Sequence, residues 1–219
     1  MTRVGICLSG CGVNDGAEIH ESVLTLLALD QAQAEIVCMA PKGVQTQVID
    51  HASGKKMDEK RDVLIESARI ARGKIKDIKQ IQADDLDALI FPGGFGAALN
   101  LCDFGMAGEN CKVHEEVSRL VAEMHKAGKP IGAICIAPAL LAKVLGGLNV
   151  KLTIGTDPGT AGKLEAMGAE HVSCPVDGIV VDEKNKIVTT PAYMLANRIS
   201  EVAQGIEKLV QKTIEMARA

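Results

Sequence analysis

Three short segments carry groups that could do chemistry. In the first, Gly132-Ala133-Ile134-Cys135-Ile136-Ala137-Pro138, an apolar run stops at Cys135 and a helical run follows at once. A thiol on so sharp a strand-to-helix turn is pushed out of the top of a sheet. Free N–H groups and the positive end of the helix behind it favour the thiolate and predict a lowered pKa. Pro138 suits the first helical turn, where its missing N–H costs nothing. Residue type alone leaves Cys135 open between this role and that of a buried core thiol, because free cysteine is among the most buried residues. The second segment, Phe91-Pro92-Gly93-Gly94-Phe95-Gly96, also ends an apolar run. Tandem glycines let backbone N–H groups face a ligand with no Cβ in the way, as an oxyanion site requires. A plain tight turn has the same composition.

The third segment runs from Ser9 to Glu21. Its Gly10-x-Gly12-x-x-x-Gly16 has one residue too many for a dinucleotide fingerprint, and Met39-Ala40-Pro41 stands where the acidic ribose partner belongs. No nicotinamide or flavin cofactor is therefore expected. Asp15 and Glu18 read as a helix-start capping pair. Glu21 lies a turn further on and is not explained by capping. It could share a strand-end crevice with Cys135, or be an ordinary solvated glutamate.

The other reactive side chains offer less. His20, His51, His114, His125 and His171 read as surface or locally bonded histidines, and no pair has metal-ligand spacing, so no metal is expected. The seven cysteines include no CxxC pair, which argues against a disulfide framework and for thiols in a reducing compartment. With no leader-like segment before residue 4, the expected location is cytoplasmic. Three Phe, one Tyr and no Trp supply no stacking platform, and a net charge of −4 disfavours nucleic acid and anionic membrane as partners. No apolar stretch approaches the length of a membrane span.

The elements that must position these segments alternate along the chain. Strand-like runs fall at residues 4–8, 35–40, 75–78, 88–91, 130–134, 150–154, 179–181 and 187–190. Helical spacing covers 17–29, 61–72, 113–127, 137–145 and 199–216, the last with Val202, Ile206, Leu209, Val210 and Ile214 on one stripe. Residues 44–57, with Ser53-Gly54, read as a hairpin excursion. Such alternation predicts an α/β fold, a mainly parallel sheet with helices on both faces, formed by a single domain over residues 1–219. In such sheets chemistry gathers at the carboxyl ends of the strands.

Together the three segments resemble the ThiJ/PfpI superfamily, relatives of class I glutamine amidotransferase domains. The matching motifs are Gly16-Ala17-Glu18-Ile19-His20-Glu21, Pro92-Gly93-Gly94 and Ile134-Cys135-Ile136-Ala137-Pro138. Leu8 to Val13, Leu152-Thr153-Ile154-Gly155-Thr156-Asp157, Cys174-Pro175-Val176-Asp177 and Thr189 to Ala196 point to a glyoxalase branch linked by name to isoprenoid biosynthesis, although no residue pattern shows a prenyl pocket. The resemblance implies a flavodoxin-like three-layer sandwich and a homodimer. It implies Cys135 as nucleophile, Glu21 as the carboxylate beside its sulfur, and the N–H groups of Gly94 and Ile136 as the oxyanion site. The chain departs from the pattern at Thr156-Asp157-Pro158, where active relatives carry a histidine. A Cys–His pair makes the thiolate and later protonates a leaving amine. Addition of sulfur to an aldehyde needs less help, because no amine leaves. The implied activity is conversion of glyoxal, and weakly of other small dicarbonyls, to the hydroxy acid without a cofactor. A redox-responsive protein with an oxidisable Cys135 and a glutaminase module are the other readings.

Overall fold

The computed structural model describes all 219 residues. Its centre is a seven-stranded sheet in the order β10 (Val180–Asp182), β11 (Ile187–Thr190), β7 (Ile131–Ile134), β6 (Ala88–Phe91), β1 (Arg3–Cys7), β2 (Glu35–Ala40) and β5 (Lys76–Asp77). Six strands are parallel, and β10 turns back antiparallel to β11. Successive residues of the inner strands enter opposite cores: Ile6 and Ile90 face one layer, Cys7 and Leu89 the other. Burial on both faces is why these strands read as continuous apolar runs rather than alternating ones.

One layer holds α1 (Ile19–Gln31), α2 (Val63–Ile70) and α8 (Ile199–Arg218), and the stripe expected on the final helix is wholly buried there. The other holds the short α3 (Phe95–Leu99) and α4 (Phe104–Ala107) with α5 (Glu115–Lys126), α6 (Pro138–Leu145) and α7 (Pro158–Ala166). The arrangement is the flavodoxin-like sandwich. The excursion after β2 is the two-rung hairpin β3 (Ile49–Asp50) and β4 (Lys55–Lys56).

Several elements differ from the sequence reading, which has neither α4 nor β9. Residues 150–154 form only β8 (Lys151–Leu152), which leaves the main sheet and pairs with β9 (Glu170–His171). Side-chain oxygens end that ladder: Thr153 N donates to Thr189 Oγ1 at 3.0 Å and Gly155 N to Thr153 Oγ1 at 3.0 Å. Helix α7 was not anticipated, because only Ala161 and Leu164 of it are buried and its periodicity is faint. Its start signals were present: Asp157 caps it by accepting from Thr160 N at 2.7 Å, and Pro158 follows.

The strand order sets the site. From β1 the chain moves outward through β2 and β5, then returns to the other side of β1 as β6 and continues to β7. Loops leaving the carboxyl ends of β1 and β6 therefore diverge, and the gap between them is the crevice where such sheets hold ligands. All three chemistry-bearing segments leave their strands at this edge.

Candidate active site

Cys135 is the first residue beyond β7. Its φ of +62° lies in the left-handed region, a strained place for a residue with a Cβ. Its N–H donates to Thr190 O at 3.0 Å, tying the turn to the end of β11. The kink directs the side chain away from the sheet, and α6 begins three residues later with Pro138 at its first turn. Cys135 is 8% exposed, so the sulfur is nearly enclosed.

Glu21 comes from the first turn of α1 and has no exposed surface. The expected Asp15–Glu18 capping pair is not what starts this helix. Glu18 is itself the cap, accepting from Glu21 N at 2.7 Å. Asp15 turns the other way and holds the β3–β4 hairpin by accepting from Ile49 N at 2.7 Å. With its backbone fixed by Glu18, Glu21 points its carboxyl into the crevice. Oε2 accepts from Gly93 N at 2.8 Å and Oε1 from Tyr193 N at 3.4 Å, which sets the carboxyl beside the Cys135 side chain.

The Gly93-Gly94 turn makes this approach possible. A Cβ on Gly93 would stand 2.5 Å from Cys135 Cβ and 2.7 Å from Glu21 Oε2. Gly94 has φ +90°, and a Cβ there would meet Glu18 N at 2.4 Å. The N–H groups of Gly94 and Ile136 face the Cys135 sulfur and favour its charged form. The glycines of the β1 loop serve the same close packing: a Cβ on Gly96 would meet the Gly16 backbone at 2.5 Å. The Gly10–Gly16 pattern thus answers to loop packing.

Burial dominates the electrostatics. Desolvation, then the charge of Glu18, pushes Glu21 up from its ordinary 4.5 to about 8, against the N–H groups of Gly93 and Tyr193. Desolvation, then the Glu21 charge, holds the Cys135 thiol well above its ordinary value, against the Gly94 and Ile136 N–H groups. The thiolate-favouring helix start expected from the sequence is outweighed. Burial thus favours the protonated form of both groups.

All four residues expected at the site, Cys135, Glu21, Gly94 and Ile136, meet around one sulfur. Asp157, at the position of the absent histidine, does not join them; it is exposed and caps α7. Sequence reasoning missed the parts played by Gly93, Glu18, Thr190 and Tyr193. The only signal for the last two was the Thr189–Ala196 stretch, which carried no assigned role. The remaining thiols are free, and all but Cys11 are buried. No three His, Cys, Asp or Glu side chains converge as a metal site. No helix is long and apolar enough to cross a membrane. The larger surface grooves lie elsewhere, such as that between α1 and α8 lined by Ala28, Val210 and Ile214.

A flavodoxin-like sandwich with a cysteine at a strand-to-helix elbow and a buried carboxyl against it defines a protein of the class I glutamine amidotransferase-like type. Residues 11–197 match the DJ-1/PfpI family, and the chain belongs to that family. It is 48% identical over 224 residues to human glutamine amidotransferase-like class 1 domain-containing protein 3, mitochondrial, covering 98% of this chain and 83% of that one. It is 47% identical over 224 residues to the rat ES1 protein homolog, mitochondrial, covering 98% and 84%. Among solved structures it superposes with TM-score 0.93 and 38% identity on an isoprenoid biosynthesis protein with amidotransferase-like domain from Ehrlichia chaffeensis, covering 99% of each chain. Drosophila DJ-1beta, at 19% identity and TM-score 0.56, shares the fold, with 99% and 96% covered. The cytoplasmic location expected from the sequence is overturned by the human and rat relatives, both of which are named mitochondrial.

Proposed function

We propose that the protein is a cofactor-independent glyoxalase-type enzyme that converts glyoxal to glycolate through Cys135, with weaker action on other small dicarbonyls. The observation that carries this reading is the buried Glu21 carboxyl set beside a nearly enclosed Cys135 at the Gly93-Gly94 turn. The DJ-1/PfpI superfamily includes glyoxalase and protease enzymes. A protease or amidase must protonate a leaving amine, and the residue at the histidine position, Asp157, is occupied with capping α7.

The steps balance on these groups. Glu21 as carboxylate takes the thiol proton while sulfur bonds to one aldehyde carbon and the C=O π pair moves to oxygen. The Gly94 and Ile136 N–H groups stabilise that oxygen until Glu21 returns the proton, giving a hemithioacetal. Glu21 then removes the hydrogen of the sulfur-bearing carbon and delivers it to the neighbouring carbon while the hydroxyl proton passes to the former aldehyde oxygen, forming the Cys135 thioester of glycolate. Water cleaves the C–S bond, releasing glycolate and the free thiol. The partner is a small aldehyde or dicarbonyl, and the working form is proposed to be a homodimer. Glycolate formation from glyoxal by wild type and Cys135→Ala tests the reading. Loss of turnover in the variant is expected, and equal rates would remove Cys135 from the mechanism.

A second reading has its own support. A Glu21 carboxyl that keeps its proton at neutral pH can donate to a sulfinate on Cys135. Mild peroxide followed by mass spectrometry should then place two added oxygens on Cys135 first. Uniform oxidation of all seven cysteines would end this reading.

A further inference from the structure

The segment after β11, Thr190-Pro191-Ala192-Tyr193, touches both halves of the Cys135–Glu21 pair. Thr190 O accepts from Cys135 N at 3.0 Å, and Tyr193 N donates to Glu21 Oε1 at 3.4 Å. Between them Ala192 is fully buried at φ +45°, a strained conformation for a residue with a side chain. A turn of this kind needs an anchor beyond its own backbone. Its outer end has one: Tyr193 Oη and His20 Nδ1 lie 2.7 Å apart, with ring centroids 5.8 Å apart and planes tilted by 46°. His20 stands on α1, immediately before Glu21. Tyr193 therefore binds α1 twice, through its amide at Glu21 and through its hydroxyl at His20.

We propose that Tyr193 is a positioning residue for the reaction: the His20–Tyr193 hydrogen bond clamps the β11 turn onto α1 and so keeps the Tyr193 N–H on Glu21 Oε1, orienting that carboxyl toward the sulfur. The inference rests on Glu21 acting as the acid and base of the proposed function. The other ionisable groups around Glu21 are Glu18 on its own helix and Cys135 after β7, neither of which touches the Tyr193 hydroxyl.

The N–H on Oε1 favours the ionised carboxyl, so releasing it raises the pH at which Glu21 ionises. The carbonyl stretch of the protonated Glu21 carboxyl, identified in infrared spectra by its loss in Glu21→Gln, follows that ionisation without any turnover. Tyr193→Phe and His20→Leu are each expected to move its midpoint upward. His20→Gln, which keeps a hydrogen-bonding partner for the hydroxyl, is expected to return it toward wild type. In glyoxal turnover, Tyr193→Phe is expected to lower kcat about three- to tenfold with KM little changed. His20 is exposed, so His20→Leu will fold even if a change at Tyr193 perturbs the turn. An unmoved midpoint in either Tyr193→Phe or His20→Leu overturns the clamp. Shifted midpoints in a protein that makes no glycolate would sink the proposed function and leave the clamp standing.

Discussion

The amide of Gly93 and the carboxyl of Glu21 meet at 2.8 Å although 72 positions separate them in the chain. The bond joins the turn after β6 to the first turn of α1 across the crevice where the strand order reverses. It also explains why position 93 is glycine: φ there is unremarkable, but the space a Cβ would need is already filled by Cys135 and Glu21.

Gly93→Ala is accordingly expected to abolish turnover while costing about 1–3 kcal/mol of stability through overpacking. Glycolate assays and chemical denaturation on the same sample check both. An active, undiminished variant would mean that Glu21 and Cys135 need not approach as closely as they do.

Glu21→Gln keeps the shape of the carboxyl and removes its proton chemistry. The expected result is a loss of about 100- to 10,000-fold in kcat with the fold intact. Steady-state kinetics with glyoxal provide the test.

Turnover requires Glu21 as carboxylate to begin, and burial places its ionisation at about pH 8. Activity is therefore expected to climb from pH 6 through pH 8 and to level about one unit above it, in contrast to an enzyme whose base is an ordinary carboxylate. A flat profile across this range would contradict the assignment of Glu21 as base.

The same group shapes stability. Glu21 ionises at 4.5 ordinarily and at about 8 when folded, so between these values the folded chain binds more protons than the unfolded one. Its contribution is complete below 4.5 and is lost as pH rises through 8, by up to about 5 kcal/mol. Wild type is expected to lose stability over that window relative to Glu21→Gln, as denaturant midpoints at several pH values will show.

Asp157→Ala is expected to cost about 1 kcal/mol, the worth of a helix cap, and to leave glyoxal turnover within about twofold. A large loss of turnover would instead give Asp157 part of the role of the absent histidine.

Much of this architecture is legible in the chain itself. Residues 35–40, 88–91 and 187–190 read as strands and are β2, β6 and β11 to the residue, because strands packed inside the sheet carry short, mostly apolar or β-branched runs. Cys135 before a proline-started helix and the Gly93-Gly94 turn mark two strand ends by local chemistry alone. What the sequence could not determine depends on distant surfaces meeting. Desolvation by the surrounding layers, not the adjacent helix start, decides that the Cys135 thiol is raised rather than lowered. Contacts between segments distant in the chain decide that Asp15 turns to the β3–β4 hairpin, that β8 leaves the main sheet, and that Tyr193 reaches Glu21 and His20. Local propensity and hydrophobic pattern belong to neighbours along the chain, whereas burial and hydrogen-bond partners belong to neighbours in space, and only the folded sheet brings those together.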